Sequence, residues 1–420
     1  FKVFDLQGVD FASMYLNNNF KARLILADTG KAHYRVITRP DSVLAWSNIN
    51  KLFDTVSIDQ IVILNTDLLY EKRIGKKQPT LNLPINRILF KELLIDSNSF
   101  FNNKKNFYSK NVDLSLNEFD LYSKDSSQVI TTKSLSLSTL RREMLMFDVS
   151  ITSLHDNNEK ASVDGNLRSI QFFGIEPLIS LQSNELIARA ILLENPKITI
   201  KQGKKVGDKV SNDALNRMVK KQFKRVNISN VEVNNANLDY YNSWGTKIAS
   251  INDAKVYCNS FKTHSGAVPK NKYLLADWFS AEGANAFYRF GDNIHLATVN
   301  NFKVFSEEGG FYADKIALTA REGLEDSTIA NATIIKDAYL NNVSIDGLNA
   351  DKLIYENKLE VTYLEAKGAN LLNLQLGNDQ TDKGLSHIDI KELNIDSVDA
   401  EINMLGEEKT LIKGNGLLFQ

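Results

Sequence analysis

The stretch "RVNISNVEVNNANLDYY", residues 225–241, alternates apolar and polar positions as a half-buried strand should, then loses its step. Val226 and Ile228 share one side of an extended chain, and by alternation Val231 and Val233 fall on the other. One residue of slip flips every later side chain to the opposite face. Four aliphatic residues spaced 0, 2, 5, 7 therefore line one wall only if the backbone turns between the pairs.

The spacing recurs. Val56, Ile58, Ile61 and Ile63 carry it in "TVSIDQIVILNTDLLYE", where Leu68 and Tyr70 match Leu238 and Tyr240 at the same separation of 170 residues. Ile88, Phe90, Leu93 and Ile95 repeat it, as do Ile388, Ile390, Leu393 and Ile395. Such repetition outranks any local assignment. A bulge or bend after each inward pair keeps all pairs on the concave face of a curved sheet.

Short amphipathic helices are expected ahead of two of these strands, in "SVLAWSNINKLFD" (42–54) and "NDALNRMVKKQFKR" (212–225). In the second, Leu215, Met218, Val219 and Phe223 share one side, with Ser211 or Asn212 as N-cap. Most other segments alternate simply. "KNVDLSLNEFDLYS" sets Val112, Leu114 and Leu116 on one face, and small polar breakers such as "NSWG" and "SEEGG" separate the strands. That pattern predicts antiparallel hairpins, apolar on one side and wet on the other. From residue 331 to 356 the slip continues in five-residue steps through Ala338, Leu340, Val343, Ile345, Leu348, Ala350, Leu353 and Tyr355.

The expected fold is mainly β: an elongated, curved, mostly antiparallel sheet forming a taco-like groove, with two short amphipathic helices. Its expected divisions are 1–41, the end of a preceding β repeat; 42–210 and 211–330, two helix-led groove repeats; and 331–420, further strands with five-residue spacing. Because Phe1 already lies in a strand-like pattern, the chain reads as part of something longer.

Composition excludes several functions. With 50 Lys plus Arg against 51 Asp plus Glu, no polyanion is an expected partner, nucleic acid included. Cys258 is the single cysteine and reads as a small buried residue on an alternating strand, not a nucleophile. His33, His155, His264, His295 and His387 are scattered, none in a ligand-spaced pair. "KQGKKVGDK" (201–209) lacks the spacing of a phosphate-binding loop. "HDNNEKASVDGN" (155–166) and "GNDQTDKG" (377–384) offer oxygens without a calcium-loop pattern. No catalytic residue, metal or cofactor is expected. Trp244 and Trp278 are expected to cap the core at hairpin ends. No run reaches the roughly 20 apolar residues of a spanning helix.

"NDALNRMVKKQFKR" followed by "VNISNVEVNNANLDYYNSWGTKIASINDAKVYCNSF" resembles the recurring unit of the AsmA-like proteins of diderm bacteria. That superfamily includes TamB and is similar to the eukaryotic bridge-like lipid transfer proteins. Val226, Ile228, Val231, Val233, Ala236, Leu238 and Tyr240 fill its first strand, and Ile248, Ile251, Ala254 and Val256 the second. Segments 56–70, 88–122 and 388–402 fit in part. The family's N-terminal anchor helix and outer-membrane-facing region have no counterpart in this sequence, so attachment and direction stay open.

The resemblance implies a non-enzymatic periplasmic protein of a diderm cell envelope, anchored by a segment outside this chain. It would carry phospholipid or other acyl lipids between inner and outer membranes, in outer-membrane biogenesis and lipid homeostasis. Membrane proteins at the two ends of the full-length chain would be its partners. The groove lining would be Val56, Ile58, Ile61, Ile63, Leu68, Ile88, Phe90, Leu93, Ile95, Val112, Leu114, Leu116, Val226, Ile228, Val231, Val233, Leu238, Ile388, Ile390, Leu393 and Ile395. The competing reading is a structural or interaction protein, a closed β-sandwich array or β-solenoid in an envelope or surface assembly. A polysaccharide-active solenoid enzyme stands third, since it needs carboxylates clustered on neighbouring coils.

Overall fold

The computed structural model describes residues 1–36, 52–72, 80–96, 108–122, 127–154, 161–175, 185–203, 216, 219–220, 223–266, 268, 275–290, 294–321, 334–349, 352, 358–375, 387–403 and 410–419. The described chain is mainly β, with twenty strands and one helix. It forms two compact units, Phe1–Leu154 with Asn166–Ile191, and His155–Gly165 with Leu192–Gln420.

The first unit opens with β1 (Val3–Gln7), α1 (Phe11–Asn17) and β2 (Asn19–Val36). There follow β3 (Thr55–Lys72), β4 (Thr80–Ile95), β5 (Ser109–Leu116), β6 (Phe119–Tyr122), β7 (Gln128–Ser138) and β8 (Glu143–Ser153). Then come β9 (Ser162–Phe173) and β10 (Glu185–Glu194), whose residues are divided between the two units. The second unit contains β11 (Lys197–Lys201), β12 (Arg225–Tyr241), β13 (Lys247–Lys262), β14 (Trp278–Arg289) and β15 (His295–Phe305). It continues with β16 (Gly310–Ala320), β17 (Ile334–Asp346), β18 (Lys358–Gln375), β19 (His387–Asn403) and β20 (Thr410–Phe419).

Most neighbours pair antiparallel, as the short polar breakers predict. β2–β3, β11–β12 and β18–β19 pair in parallel. A parallel pair cannot be closed by a two-residue turn and needs a crossover. The two stretches expected from sequence to be helices lie between the strands of the first two parallel pairs. Most of 42–54 lies outside the described residues, and Leu52–Asp54 is a turn. Of 212–225, Asn216, Val219 and Lys220 are helical, and Phe223 N–H donates to Val219 O at 3.0 Å; much of the rest is not described. Asn216 pins this crossover by donating to His264 O at 3.1 Å and accepting from His264 N–H at 3.0 Å. Helix α1 was not expected: residues 1–41 read as β, but Asp10 caps a seven-residue helix by accepting from Ser13 N–H at 2.9 Å.

The slipped spacing has a definite backbone cause. From Val56↔Ile95 to Glu71↔Thr80 the β3–β4 register is constant, yet the ladder omits the pairs Asp59–Glu92 and Asn65–Asn86. Glu92 and Asn65 have φ of 51° and 45°. One left-handed residue turns both strands together, so most slips are concerted bends and not an extra residue. The same bends cross several strands. In the second unit they run through Asn301, Asp314 and Asn342, with φ of 44° at Asn301 and 47° at Asn342. Some pairs do shift register as a bulge does: β12–β13 around Asn235 and Asp253, both at positive φ, β18–β19 between Leu371 and Leu374, and β4–β5 between Ile85 and Arg87.

The five-residue steps expected across 331–356 stop early. Leu340, Val343 and Ile345 belong to β17, which ends at Asp346; Gly347 turns the chain at φ +67°. Leu348 follows this turn, and Ala350, Leu353 and Tyr355 lie outside the described residues.

That turn reveals a repeat. Gly8, Gly174 and Gly347, at φ +63°, +64° and +67°, each sit fifteen residues before the side chain that a Cβ would strike: Arg23, Arg189 and Thr362. The next residues are Val9–Asp10, Ile175–Glu176 and Leu348–Asn349. Asn349 accepts from Lys352 N–H at 3.2 Å as Asp10 does from Ser13. Asn349 N–H donates to Glu360 O at 2.9 Å as Asp10 N–H does to Lys21 O at 3.1 Å. Ala22, Ala188 and Val361, in equivalent places, are all buried. Beginnings of three repeats therefore lie near residues 1, 167 and 340.

Candidate functional site

The bends bring the slipped pairs onto one wall within each unit. In the first, Ile25, Ile61, Phe90 and Val112 form one cross-strand row, and Ala27, Ile63, Ile88, Leu114, Leu137 and Met144 the next. Beyond one bend lie Ala22–Ile58–Leu93 and Phe20–Val56–Ile95; beyond the other, Ala32–Leu68–Leu83. Leu116 continues from Ile85 toward Leu135 and Met146. The 0, 2, 5, 7 sets thus occupy successive rows of one face.

In the second unit a single row runs Val233–Val256–Ala281–Val304–Phe311–Ile345–Leu364–Leu393–Phe419. A parallel row runs Leu238–Ile251–Ala286–Val299–Ile316–Leu340–Ala369–Val398. Val231 faces Cys258 and then Phe279, while Ile395 continues Ala366, Val343 and Ala313. Ile390 opposes Val361, and Ile388 opposes Leu359 in backbone register. Val226 and Ile228 are 2% and 3% exposed at the start of β12.

Burial along these rows is uneven. Val233, Val256, Ala281, Val304 and Phe311 stay partly exposed, whereas Ile345 and Leu364 in the same row are buried. Likewise Ile61, Ile63, Ile88 and Phe90 are partly exposed, and Val56, Ile58, Ile95, Val112 and Leu116 are buried. The clusters that do close are built from neighbouring strands. Val343, Ile345, Val361, Leu364, Ala366 and Ile395 pack together across β17–β19. Ala22, Val56, Ile58 and Ile95 pack together on β2–β4, with Val9, Phe53 and Tyr108 from adjoining segments against them. A sandwich would interleave side chains from two facing layers; these two clusters join strands adjacent in one layer.

The opposite face is mostly polar. Lys255 and Lys303 flank Glu282 at 3.9 and 3.1 Å, over a cleft of about 320 Å³ lined also by Glu232, Tyr257 and Phe305. Leu26, Val62 and Leu89 interrupt that polarity in the first unit, and Leu89 is buried there. Sequence alternation does not single out Leu89.

Cys258 sits on the apolar wall, where burial pushes its thiol up to about 11. Of the histidines, His295 accepts from Ile335 N–H at 3.0 Å through Nε2, a structural contact. Among the described residues no group of three or more His, Cys, Asp or Glu side chains is placed to hold a metal. No described helix is long and apolar enough to cross a membrane. Trp244 does not cap the core: it is 85% exposed at the β12–β13 turn, whose Asn242 accepts from Trp244 N–H and Thr246 N–H. Trp278 packs its ring against Tyr257, with centroids 5.2 Å apart. Comparison with known protein families, curated proteins and solved structures finds no match to this chain.

Proposed function

We propose that this protein is an AsmA-like carrier whose curved sheets form taco-like grooves for the acyl chains of phospholipids. The observation that carries the reading is the wall itself. Aliphatic side chains stand in register over successive strands of each unit, and whole stretches of the rows stay partly exposed. Bare aliphatic surface forgoes roughly 25 cal/mol for each Å² left in water, a cost that an acyl chain removes. Each buried CH₂ is worth about 0.8 kcal/mol, so two acyl chains are held by area and need no named polar group. Polar headgroups would stay at the wet rim.

On this reading the protein works in the periplasm of a diderm bacterium, between inner and outer membranes. It contributes no chemistry; its partners are acyl lipids and the membrane proteins at either end of the lipid path. The closed-sandwich alternative draws on the buried stretches around Val343 and Ala366, but those clusters join adjacent strands of one layer.

The test is lipid extraction and mass spectrometry of the purified protein, with photo-crosslinking to a diazirine-bearing phospholipid. Co-purified phospholipid and crosslinks on the Val233–Phe311 row are expected. Ile316→Glu, which places a charge on the wall, should abolish them, while Thr319→Glu on the other face should not. Absence of phospholipid and of crosslinks to the wall sinks the proposal.

A further inference from the structure

One place on the polar face recurs in both units. Thr139, just after β7, accepts from Val112 N–H at 2.7 Å through its hydroxyl and donates its own N–H to Val112 O at 2.9 Å. Ser306, just after β15, makes the same two bonds with Phe279, at 2.7 and 3.0 Å. Phe279 and Ser306 follow Val112 and Thr139 at one and the same separation, so β5 and β7 are the equivalents of β14 and β15. A cleft opens at this place in each unit, about 360 Å³ in the first and about 320 Å³ in the second. Equivalent positions line both: Ser115 and Ser136 in one, Glu282 and Lys303 in the other.

The chemistry of the two clefts differs. In the second unit the cross-strand row reads Lys255–Glu282–Lys303, a carboxylate between two ammonium groups at 3.9 and 3.1 Å. The same row of the first unit reads Arg87–Ser115–Ser136. A cation remains at one end, but half-buried hydroxyls replace the carboxylate and the far lysine. Among the described residues no hydrogen bond or ion pair engages the Arg87 guanidinium or either hydroxyl. Arg141 lines this cleft from the turn, at the position that Glu308 holds in the second unit. Glu143 takes Nε of Arg141 at 3.4 Å and leaves its Nη groups open. Asp113, a carboxylate that also lines the cleft, is occupied by the Ser138 hydroxyl at 2.6 Å.

We propose that the cleft of the first unit binds a phosphate-type oxyanion, free or as the ester of a lipid headgroup, where the second unit places its own Glu282 carboxylate. Guanidinium groups grip phosphate oxygens through paired, charge-assisted bonds. Arg87 and Arg141 supply that charge, and Ser115 and Ser136 donate from the floor. Leu140, 67% exposed on the lining, offers an apolar side to the carbon of an ester. The inference holds whatever fills the apolar wall.

Titrating the full chain with inorganic phosphate and with glycerol 3-phosphate, at constant ionic strength, tests this by phosphorus NMR linewidths. Glycerol 3-phosphate carries the headgroup ester without acyl chains, so the apolar wall does not enter. One saturable site per chain is expected. Ser115→Glu, which supplies the carboxylate of the second unit, should abolish it. Arg87→Gln should weaken it at least about tenfold. Glu282→Ser should add a second site by freeing Lys255 and Lys303, a gain that misfolding cannot imitate. Glycerol 3-phosphate binding at least about tenfold tighter than phosphate assigns the site to a headgroup ester, and any smaller ratio assigns it to free phosphate. Either result upholds the proposal. It is overturned if neither probe binds saturably, if Ser115→Glu and Arg87→Gln bind as the unaltered chain does, or if Glu282→Ser gains no site.

Discussion

At the residue scale the fold depends on a few positions that leave the extended region. Asn65, Asn235, Asn301 and Asn342 are left-handed, and asparagine tolerates that conformation because its side chain hydrogen-bonds locally. Asn301 donates to Asp314 at 2.8 Å across one bend, and Asn65 to Asp28 at 3.0 Å across another. The bond from Asn65, then that from Thr29, holds the Asp28 carboxyl below its ordinary range. Asn342→Val should therefore destabilise by about 1–2 kcal/mol, the cost of a branched side chain at positive φ. Asn342→Gly should change stability by less than about 1 kcal/mol; urea unfolding of the two variants measures the contrast. Cys258 makes a separate prediction. Its thiol titrates near 11 when folded against 9.0 in the free residue. At pH 8 its alkylation should be about a hundredfold slower in the native than in the unfolded chain, as followed by mass spectrometry. The neutral thiol is favoured by folding, so its contribution is intact below pH 9 and lost as pH rises toward 11. That loss, on the order of 2 kcal/mol, should be absent in Cys258→Ala.

At the element scale, strands are held by rows and not by a central plug. Val343 and Ala366 are both 0% exposed and directly opposite in β17 and β18. Val343→Ala removes two methyl groups from a closed site and should cost about 2–3 kcal/mol. Thr298→Ala, on the wetter face of β15, should stay within about 0.5 kcal/mol in the same thermal unfolding assay. The slipped spacing was legible because hydrophobic periodicity records which way each side chain faces. The crossovers were legible only as amphipathic stretches, since which strands pair in parallel depends on partners distant in sequence. Helix α1 was hidden because Phe11, Tyr15 and Leu16 are exposed, so "FASMYLN" shows no buried stripe. The repeat left a faint trace: "FKARLILADT" (20–29) and "LIARAILLEN" (186–195) share Ala-Arg and Ile-Leu in frame. Only the three glycine turns identify that frame.

At the scale of the whole molecule, charge does little for stability. The ion pairs among the described residues are solvent-accessible; Lys110–Glu92, at 2.8 Å, is 64% and 61% exposed. Surface pairs contribute up to about 1 kcal/mol each and are screened by salt. Raising sodium chloride from about 0.1 M to about 1 M should lower the unfolding free energy by no more than about 1–2 kcal/mol in a denaturant titration. A larger drop would mean that charge networks, not aliphatic rows, hold the units together. By itself the sequence determined that this is a β protein with one apolar wall kept in step by regular bends, because alternation and its interruption are local properties of the chain. Tertiary structure decided which strands run parallel, that most slips are concerted bends, and that three repeats share equivalent glycine turns. Those depend on register between segments far apart in sequence, and a pattern within one strand carries no information about the strand beside it.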